Sequence, residues 1–115
     1  MKEFLLIFRM APMLSEVTPS PEELQARMKP WQDWIGGLAA QNKLVTGGNR
    51  LEPGSGKVIR QNHVVTNGPF VETKESLAGY TIIKADSLDE ATELCKGCPI
   101  FHMGGNIEVR AIVPM

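Results

Sequence analysis

The sequence predicts an α+β fold with an antiparallel sheet, and three observations support this prediction. Segments whose alternating apolar residues are typical of strands are interleaved with two helical segments. Each helical segment begins at a serine that is followed three residues later by a glutamate, which is the pattern of a capping box. The length of 115 residues fits a single domain spanning residues 1–115, and a hydrophobic fraction of 43% is enough apolar surface to exclude disorder.

The first strand and the first helix have the clearest patterns. A strand is predicted over residues 3–9, which carry apolar side chains on both faces. A helix follows Ser20, because Pro21 suits the first helical position and Glu23 completes the capping box. Its apolar stripe, at alternating steps of four and three, is Leu24, Met28, Trp31, Ile35 and Leu38. Pro30 is expected to kink or divide this helix, since it removes a backbone hydrogen bond.

The remaining elements complete the predicted topology. Further strands are predicted over residues 43–51, 57–66, 77–85 and 106–113, with a bulge or irregular edge at Gly47-Gly48. A second capping box, formed by Ser87 and Glu90, opens a short helix that runs to about Lys96. The order of elements is close to the βαββαβ pattern of a ferredoxin-like protomer, with both helices on one face of the sheet.

The second face of such a sheet is expected to meet a partner. Strand 77–85 has apolar residues on both faces, and monomers usually avoid a contiguous exposed apolar patch. The pattern therefore predicts a homodimer in which two sheets pack back to back about a twofold axis. A pocket there, rimmed by Arg9, Glu108 or Arg110, would suit a small polar or anionic ligand. Alternatively, these charges pair with one another across adjacent strands.

Composition and charge exclude several classes of function. Twelve Lys and Arg against thirteen Asp and Glu give a net charge of −1 with no basic block, so nucleic acid is not an expected partner. The longest apolar run, Phe4 to Phe8, is far too short to span a bilayer, so no membrane partner is expected. The N-terminus lacks the cleavage pattern of a signal peptide, and the expected location is cytoplasmic.

The two cysteines form a Cys-x-x-Cys pattern at Cys95 and Cys98. A structural zinc site needs four ligands, and the chain has no second closely spaced pair beside Cys95 and Cys98, since its only histidines are His63 and His102; no metal is therefore expected. A reactive thiolate is normally found at a helix N-terminus, whereas this pair lies at the end of a predicted helix. Structural thiols are therefore favoured over redox chemistry, and no cofactor is expected.

The most distinctive stretch of the chain covers residues 66–75. Its sequence, Thr-Asn-Gly-Pro-Phe-Val-Glu-Thr-Lys-Glu, closely resembles the Asp-Gly-Pro-Phe motif of the YCII-related (DGPF-domain) family and the Glu-Thr-Lys-Glu that follows it. Further similarity to the family lies in residues 77–80, 87–91, 97–99 and 105–110. The resemblance covers most of the chain.

This resemblance implies a dimeric α/β barrel built from ferredoxin-like protomers. It also implies a cleft in which a His and an Asp are suspected of acid–base chemistry, with lyase-like and dehydrochlorinase-like proteins among the relatives. Other relatives resemble partners of alternative sigma factors. We therefore expect a small-molecule-binding protein with lyase or isomerase activity that needs no cofactor. The alternative is a non-catalytic regulatory module, while cofactorless oxygenase chemistry rests on fold analogy alone.

The sequence departs from the family motif at Asn67, where the family has Asp. An amide cannot act as a general base at neutral pH, whereas Asn67-Gly68 is a strong signal for a two-residue hairpin turn. A turn is therefore favoured over catalysis at this position. His63 is expected to be a packed or edge residue of a strand. The candidate catalytic residues are His102, Glu72 and Asn67. The candidate ligand-binding residues are Arg9, Gly68, Pro69, Phe70, Lys74 and Arg110.

Overall fold

A computed structural model of the chain describes residues 1–10, 20–52, 56–67 and 76–115. In chain order the elements are β1 (Lys2–Met10), α1 (Pro21–Ala40), β2 (Leu44–Arg50), β3 (Lys57–Ile59), β4 (Val65–Asn67), β5 (Ser76–Ala85), α2 (Leu88–Cys95), a 3₁₀ segment (Pro99–Met103) and β6 (Asn106–Ala111). Among the described helices, none is long and apolar enough to cross a membrane.

Four strands form an antiparallel sheet in the spatial order β2-β5-β1-β6. Both helices contribute side chains to a single core cluster with β1 and β5, so they lie on the same face of the sheet. The order and the arrangement confirm the predicted α+β fold of ferredoxin-like type. Strands β3 and β4 stand apart as a separate two-stranded sheet.

Both helices begin where the capping boxes predict. The Ser20 hydroxyl accepts a hydrogen bond from the backbone N–H of Glu23 at 3.2 Å, and Ser87 accepts one from Glu90 at 3.1 Å. These bonds satisfy N–H groups that the first turn of a helix leaves without an acceptor. However, α1 runs as one helix through Pro30, so the predicted division of this helix is wrong. The part of α1 that follows Pro30 packs against the sheet. This packing stabilises the helix although Pro30 has no backbone N–H to donate a hydrogen bond.

The predicted strand over residues 57–66 is also wrong, because the chain reverses in its middle. The two halves, β3 and β4, pair with each other as a hairpin. In the reversal, the Asn62 side-chain oxygen accepts a hydrogen bond from the N–H of Val64 at 3.2 Å, and His63 has a left-handed φ of 65°. Such Asx turns need only one Asn, so no Gly or Pro marks this turn. His63 consequently lies exposed in a turn instead of a strand.

The core lies between the helices and one face of the sheet. Its β1 members are Phe4, Leu6 and Phe8, which are 2%, 0% and 6% exposed. Phe8 packs edge-on against Trp31 and Trp34 of α1, with ring centroids 5.4 and 6.2 Å apart. Such edge-to-face contacts add to the free energy gained from burying the rings. The indole N–H of Trp34 also donates to a carbonyl of α2 at 3.0 Å, which ties the two helices together.

Candidate functional site

The face of the sheet that turns away from the helices carries a short apolar strip. The strand register places Leu5 opposite Ile82 and Ile7 opposite Tyr80. All four side chains are only partly buried. We call Leu5, Ile7, Tyr80 and Ile82 the open-face strip. Its presence is the pattern that the sequence predicts for a sheet covered by helices on one face alone.

A cluster of charges borders the strip on the β6 side. Glu108 lies opposite Ile7, and Arg110 lies opposite Leu5. Arg9 Nη2 is 3.3 Å from Glu108 Oε1, and Arg110 Nη1 is 3.1 Å from Glu108 Oε2. The predicted pairing across adjacent strands is therefore confirmed for Arg9 and Glu108, while Arg110 pairs with Glu108 along the same strand. Arg9, Glu108 and Arg110, which we call the charged cluster, together carry one net positive charge.

The charged cluster keeps a positive charge that can attract an anion. Hydrogen bonds from Arg110 and then from Arg9 hold the pKa of the Glu108 carboxyl below its ordinary value. This carboxylate is therefore ionised at neutral pH and neutralises one of the two guanidinium charges. Each guanidinium has five N–H donors, and among the described residues each one makes a single ion-pair contact.

A neutral polar pair borders the strip on the opposite side, at β2. Asn49 lies opposite Tyr80, and its side-chain N–H donates to the Tyr80 phenol oxygen at 2.9 Å. A phenol that accepts one hydrogen bond can still donate its own hydrogen to a further acceptor. Sequence reasoning missed this pair. The strand β2 is irregular, so simple alternation along it does not show which residue lies beside Tyr80.

A glycine places Asn49 beside Tyr80. Gly48 has a φ of 70°, and a Cβ built on it would lie 1.8 Å from the Tyr80 carbonyl oxygen. Glycine alone combines this backbone conformation with so close an approach. The register of β2 against β5 shifts on both sides of Thr46. The irregular edge predicted at Gly47-Gly48 is thereby confirmed.

His102 lies in the loop that leads into β6. It is exposed, within the 3₁₀ segment Pro99–Met103. The same loop contacts the end of β1 at Gly105, where an added Cβ would lie 2.8 Å from the Arg9 carbonyl oxygen. The loop of His102 is therefore seated at the end of the sheet that holds Arg9. No hydrogen bond or ion pair joins His102 to Asn67 within the described ranges.

Asn67 is the last residue of β4 and is exposed. Residues 68–75, which follow it, lie outside the described residues, and with them five of the predicted site residues: Gly68, Pro69, Phe70, Glu72 and Lys74. The predicted turn at Asn67 and the roles of these residues remain predictions. The segment re-enters the described chain at Ser76, which begins β5 opposite Met10. Ser76, the first described residue after the motif, therefore lies next to the end of β1.

Cys95 and Cys98 belong to the core and are 4% and 2% exposed, both as free thiols. Burial, together with the neighbouring Cys98, raises the pKa of Cys95 to about 12, and burial raises the pKa of Cys98 to about 11. Thiols with such pKa values hold almost no thiolate at neutral pH, which supports a structural role. Across the described ranges, no group of three or more His, Cys, Asp or Glu side chains could hold a metal ion.

Compared with known protein families, the chain matches the YCII-related domain over residues 4–115. The chain belongs to the YCII-related family. This membership confirms the resemblance carried by residues 66–75, and the matched range includes the open-face strip and the charged cluster. No curated protein matches the chain. The YCII-related domain is a family description without a reaction, so the function of this member rests on its own geometry.

Proposed function

We propose that this YCII-related protein is a cytoplasmic homodimer that binds a small anionic or polar molecule on the open face of its sheet. The observation that carries the proposal is the open-face strip lying directly beside a charged cluster with one net positive charge. Small-molecule sites typically combine an apolar surface with a few well-placed polar groups. The strip supplies the first and the guanidinium groups supply the second.

A second copy of the chain is the proposed cover for the open-face strip. In one copy alone, Leu5, Ile7 and Ile82 remain in contact with water. Packing about a twofold axis places the strips of both copies on facing sides of one interface, with the bound molecule between them, because both partners use the same surface. Enclosure also lowers the local dielectric constant, which strengthens the attraction between a guanidinium group and a bound anion. Each copy then closes the site of the other.

A second candidate function is acid–base catalysis of lyase or isomerase type at the same site, without a cofactor. The contact between the loop of His102 and the end of β1 favours it, because an imidazole is the side chain that most often serves as a general acid or base. In this candidate function, Arg9 and Arg110 bind the substrate, and His102 transfers a proton. Replacing His102 by Gln should then abolish turnover while leaving the affinity for the bound anion unchanged.

Benzoate is a suitable probe of the proposed site, because it joins a carboxylate to an apolar ring. In an NMR titration of the isotope-labelled homodimer, we expect saturable shifts at the amides of Ile7 and Glu108. Arg110→Gln and Arg9→Gln should each weaken binding by roughly tenfold, as expected for a hydrogen bond between charged groups. Arg27→Gln, on the exposed first half of α1, is the matched control and should leave the affinity unchanged.

Two results would overturn parts of this proposal separately. If the wild-type protein is folded but benzoate gives no saturable shifts, the binding function is wrong and a regulatory module, in the manner of the sigma-factor-linked relatives, becomes the better explanation. If benzoate binds to a protein that stays monomeric at every concentration, the second copy is not the cover of the site.

A further inference from the structure

The open-face strip is bordered by polar groups on both sides, and the two borders differ in chemistry. On the β6 side the charged cluster has an excess of one positive charge. On the β2 side the phenol of Tyr80, held by Asn49, is neutral and can donate a hydrogen bond. A molecule lying across the strip therefore meets an anion-binding group at one end and a neutral hydrogen-bond donor at the other.

The strand register fixes the order and the separation of these groups. Asn49, Tyr80, Ile7 and Glu108 form one row across the four strands. Neighbouring strands lie about 4.8 Å apart, so the backbones that carry Tyr80 and Glu108 are about 10 Å apart. This separation is on the scale of a small organic molecule, and one ligand can contact both borders.

The middle of the row constrains the body of the ligand. Between Tyr80 and Glu108 stands Ile7, with Leu5 and Ile82 in the next row. A charged or hydrogen-bonding group placed over these side chains would lose water without gaining a partner, which costs free energy. The body of the ligand must therefore be apolar where it crosses the strip.

The charge of the cluster constrains the anionic end. Because Glu108 neutralises one of the two guanidinium groups, the cluster offers one unit of positive charge. A carboxylate matches this charge, and its two oxygens also suit the planar N–H groups of arginine. A phosphate monoester, with up to two negative charges near neutral pH, would be left with an uncompensated charge.

We infer that the site binds a small monocarboxylic acid with an apolar body and an uncharged oxygen at its far end, the carboxylate at the charged cluster and the far oxygen at the Tyr80 phenol. This inference rests on the proposed function and extends it from any small anion to one class of ligand. Tyr80 becomes the residue that selects among acids, while Arg9 and Arg110 provide the common anion contact.

Two matched pairs of probes test the inference: benzoate against 4-hydroxybenzoate, and phenylacetate against 4-hydroxyphenylacetate, which is longer by one methylene. The hydroxylated member of at least one pair should bind roughly threefold to tenfold more tightly, the value expected for one neutral hydrogen bond. Tyr80→Phe keeps the ring and removes the hydroxyl. It should remove the preference for the hydroxylated acid.

The outcomes separate this inference from the proposed function. If the unsubstituted acids bind through Arg9 and Arg110 but neither hydroxylated partner is preferred, the inference is overturned and the proposed function stands. A preference that persists in Tyr80→Phe likewise overturns it, because the far oxygen then binds elsewhere. If none of the four acids binds to the folded homodimer, the proposed function and the inference fail together.

Discussion

The two faces of the sheet are made by alternate residues of the same strands, yet they differ in what covers them. On β1, Phe4 and Leu6 point to the helices and are 2% and 0% exposed, whereas Leu5 and Ile7 between them are partly buried on the open face. Because both sets are apolar, residue type does not distinguish them. Helices of the same chain bury one face of the sheet. Burial of the open face requires a second molecule.

The largest expected loss of stability comes from truncating Leu6 on the covered face, and its neighbour Leu5 on the open face provides the comparison. Leu6→Ala leaves a cavity in the core between helices and sheet, and we expect it to lower the free energy of unfolding by about 3–5 kcal/mol. Because its cause lies within one chain, the loss should be the same at every protein concentration. Urea unfolding at two protein concentrations measures it.

Leu5→Ala is the matched control on the open face. It removes the same atoms from a side chain that is only partly buried in one chain. We expect a loss of stability that is small at low protein concentration, where the chain is monomeric, and larger at high concentration, where the dimer forms, because association stabilises the folded state and Leu5→Ala weakens that association. A loss equal to that of Leu6→Ala at both concentrations would show that the two faces do not differ.

The next largest effect concerns the β2 border of the open face. Gly48→Ala forces a left-handed residue against the Tyr80 carbonyl oxygen, and we expect it to lower the free energy of unfolding by about 2–4 kcal/mol. Gly47→Ala is the matched control, because a Cβ there has no heavy atom within 4 Å. Thermal unfolding of both variants compares them, and equal stabilities would contradict the described path of β2.

Deprotonation of the two buried thiols, Cys95 and Cys98, should lower the stability of the fold at alkaline pH. The pKa values of Cys95 and Cys98 are raised by burial, so the stability that the buried thiols provide is complete below their ordinary pKa of 9.0. It is lost as the pH rises towards about 11 and then 12. Urea unfolding across this range should show a falling stability, and the double variant Cys95→Ala/Cys98→Ala should have a flatter alkaline slope. An unchanged slope would place the titrating groups elsewhere.

The smallest expected effect belongs to the open face and lies at acid pH. The pKa of Glu108 is lowered by Arg110 and Arg9, so its ion pairs stabilise the fold above the ordinary pKa of 4.5 and are lost as the pH falls through the lowered value. Glu108→Gln should therefore flatten part of the acid slope of unfolding. The same change frees both guanidinium groups, so benzoate should bind severalfold more tightly. Weaker binding would contradict the assigned anion site.

The fold could be predicted well where a local pattern decides the structure. Ser20 and Ser87 cap the helices as their sequence patterns indicate, and the alternation in β1 and β5 gives the correct two faces. The pattern is less decisive where packing or a single side chain determines the structure. The sequence leaves open whether Pro30 kinks or divides α1, and the helix is not divided. The predicted strand over residues 57–66 is wrong, because the reversal between β3 and β4 depends on the side chain of Asn62.

The candidate site could be predicted only in part. The pairing of Arg9 with Glu108 follows from antiparallel pairing of two recognisable strands, so the sequence predicts it; Arg110 lies two residues from Glu108 on the same strand. The pairing of Asn49 with Tyr80 depends on irregularities in β2 that residue alternation does not reveal. The distance between Asn67 and His102 likewise depends on how separate elements pack, which no spacing in the sequence contains.

The most direct test of the account is sedimentation velocity of the wild-type protein beside Ile7→Lys, which places a charge at the centre of the open-face strip. Ala39→Lys, on an exposed position of α1, adds the same charge away from it. The account predicts a dimer for the wild type and for Ala39→Lys, and a folded monomer for Ile7→Lys. A monomeric wild type, or a dimer that Ile7→Lys leaves intact, would contradict the claim that the open face is completed by a second copy.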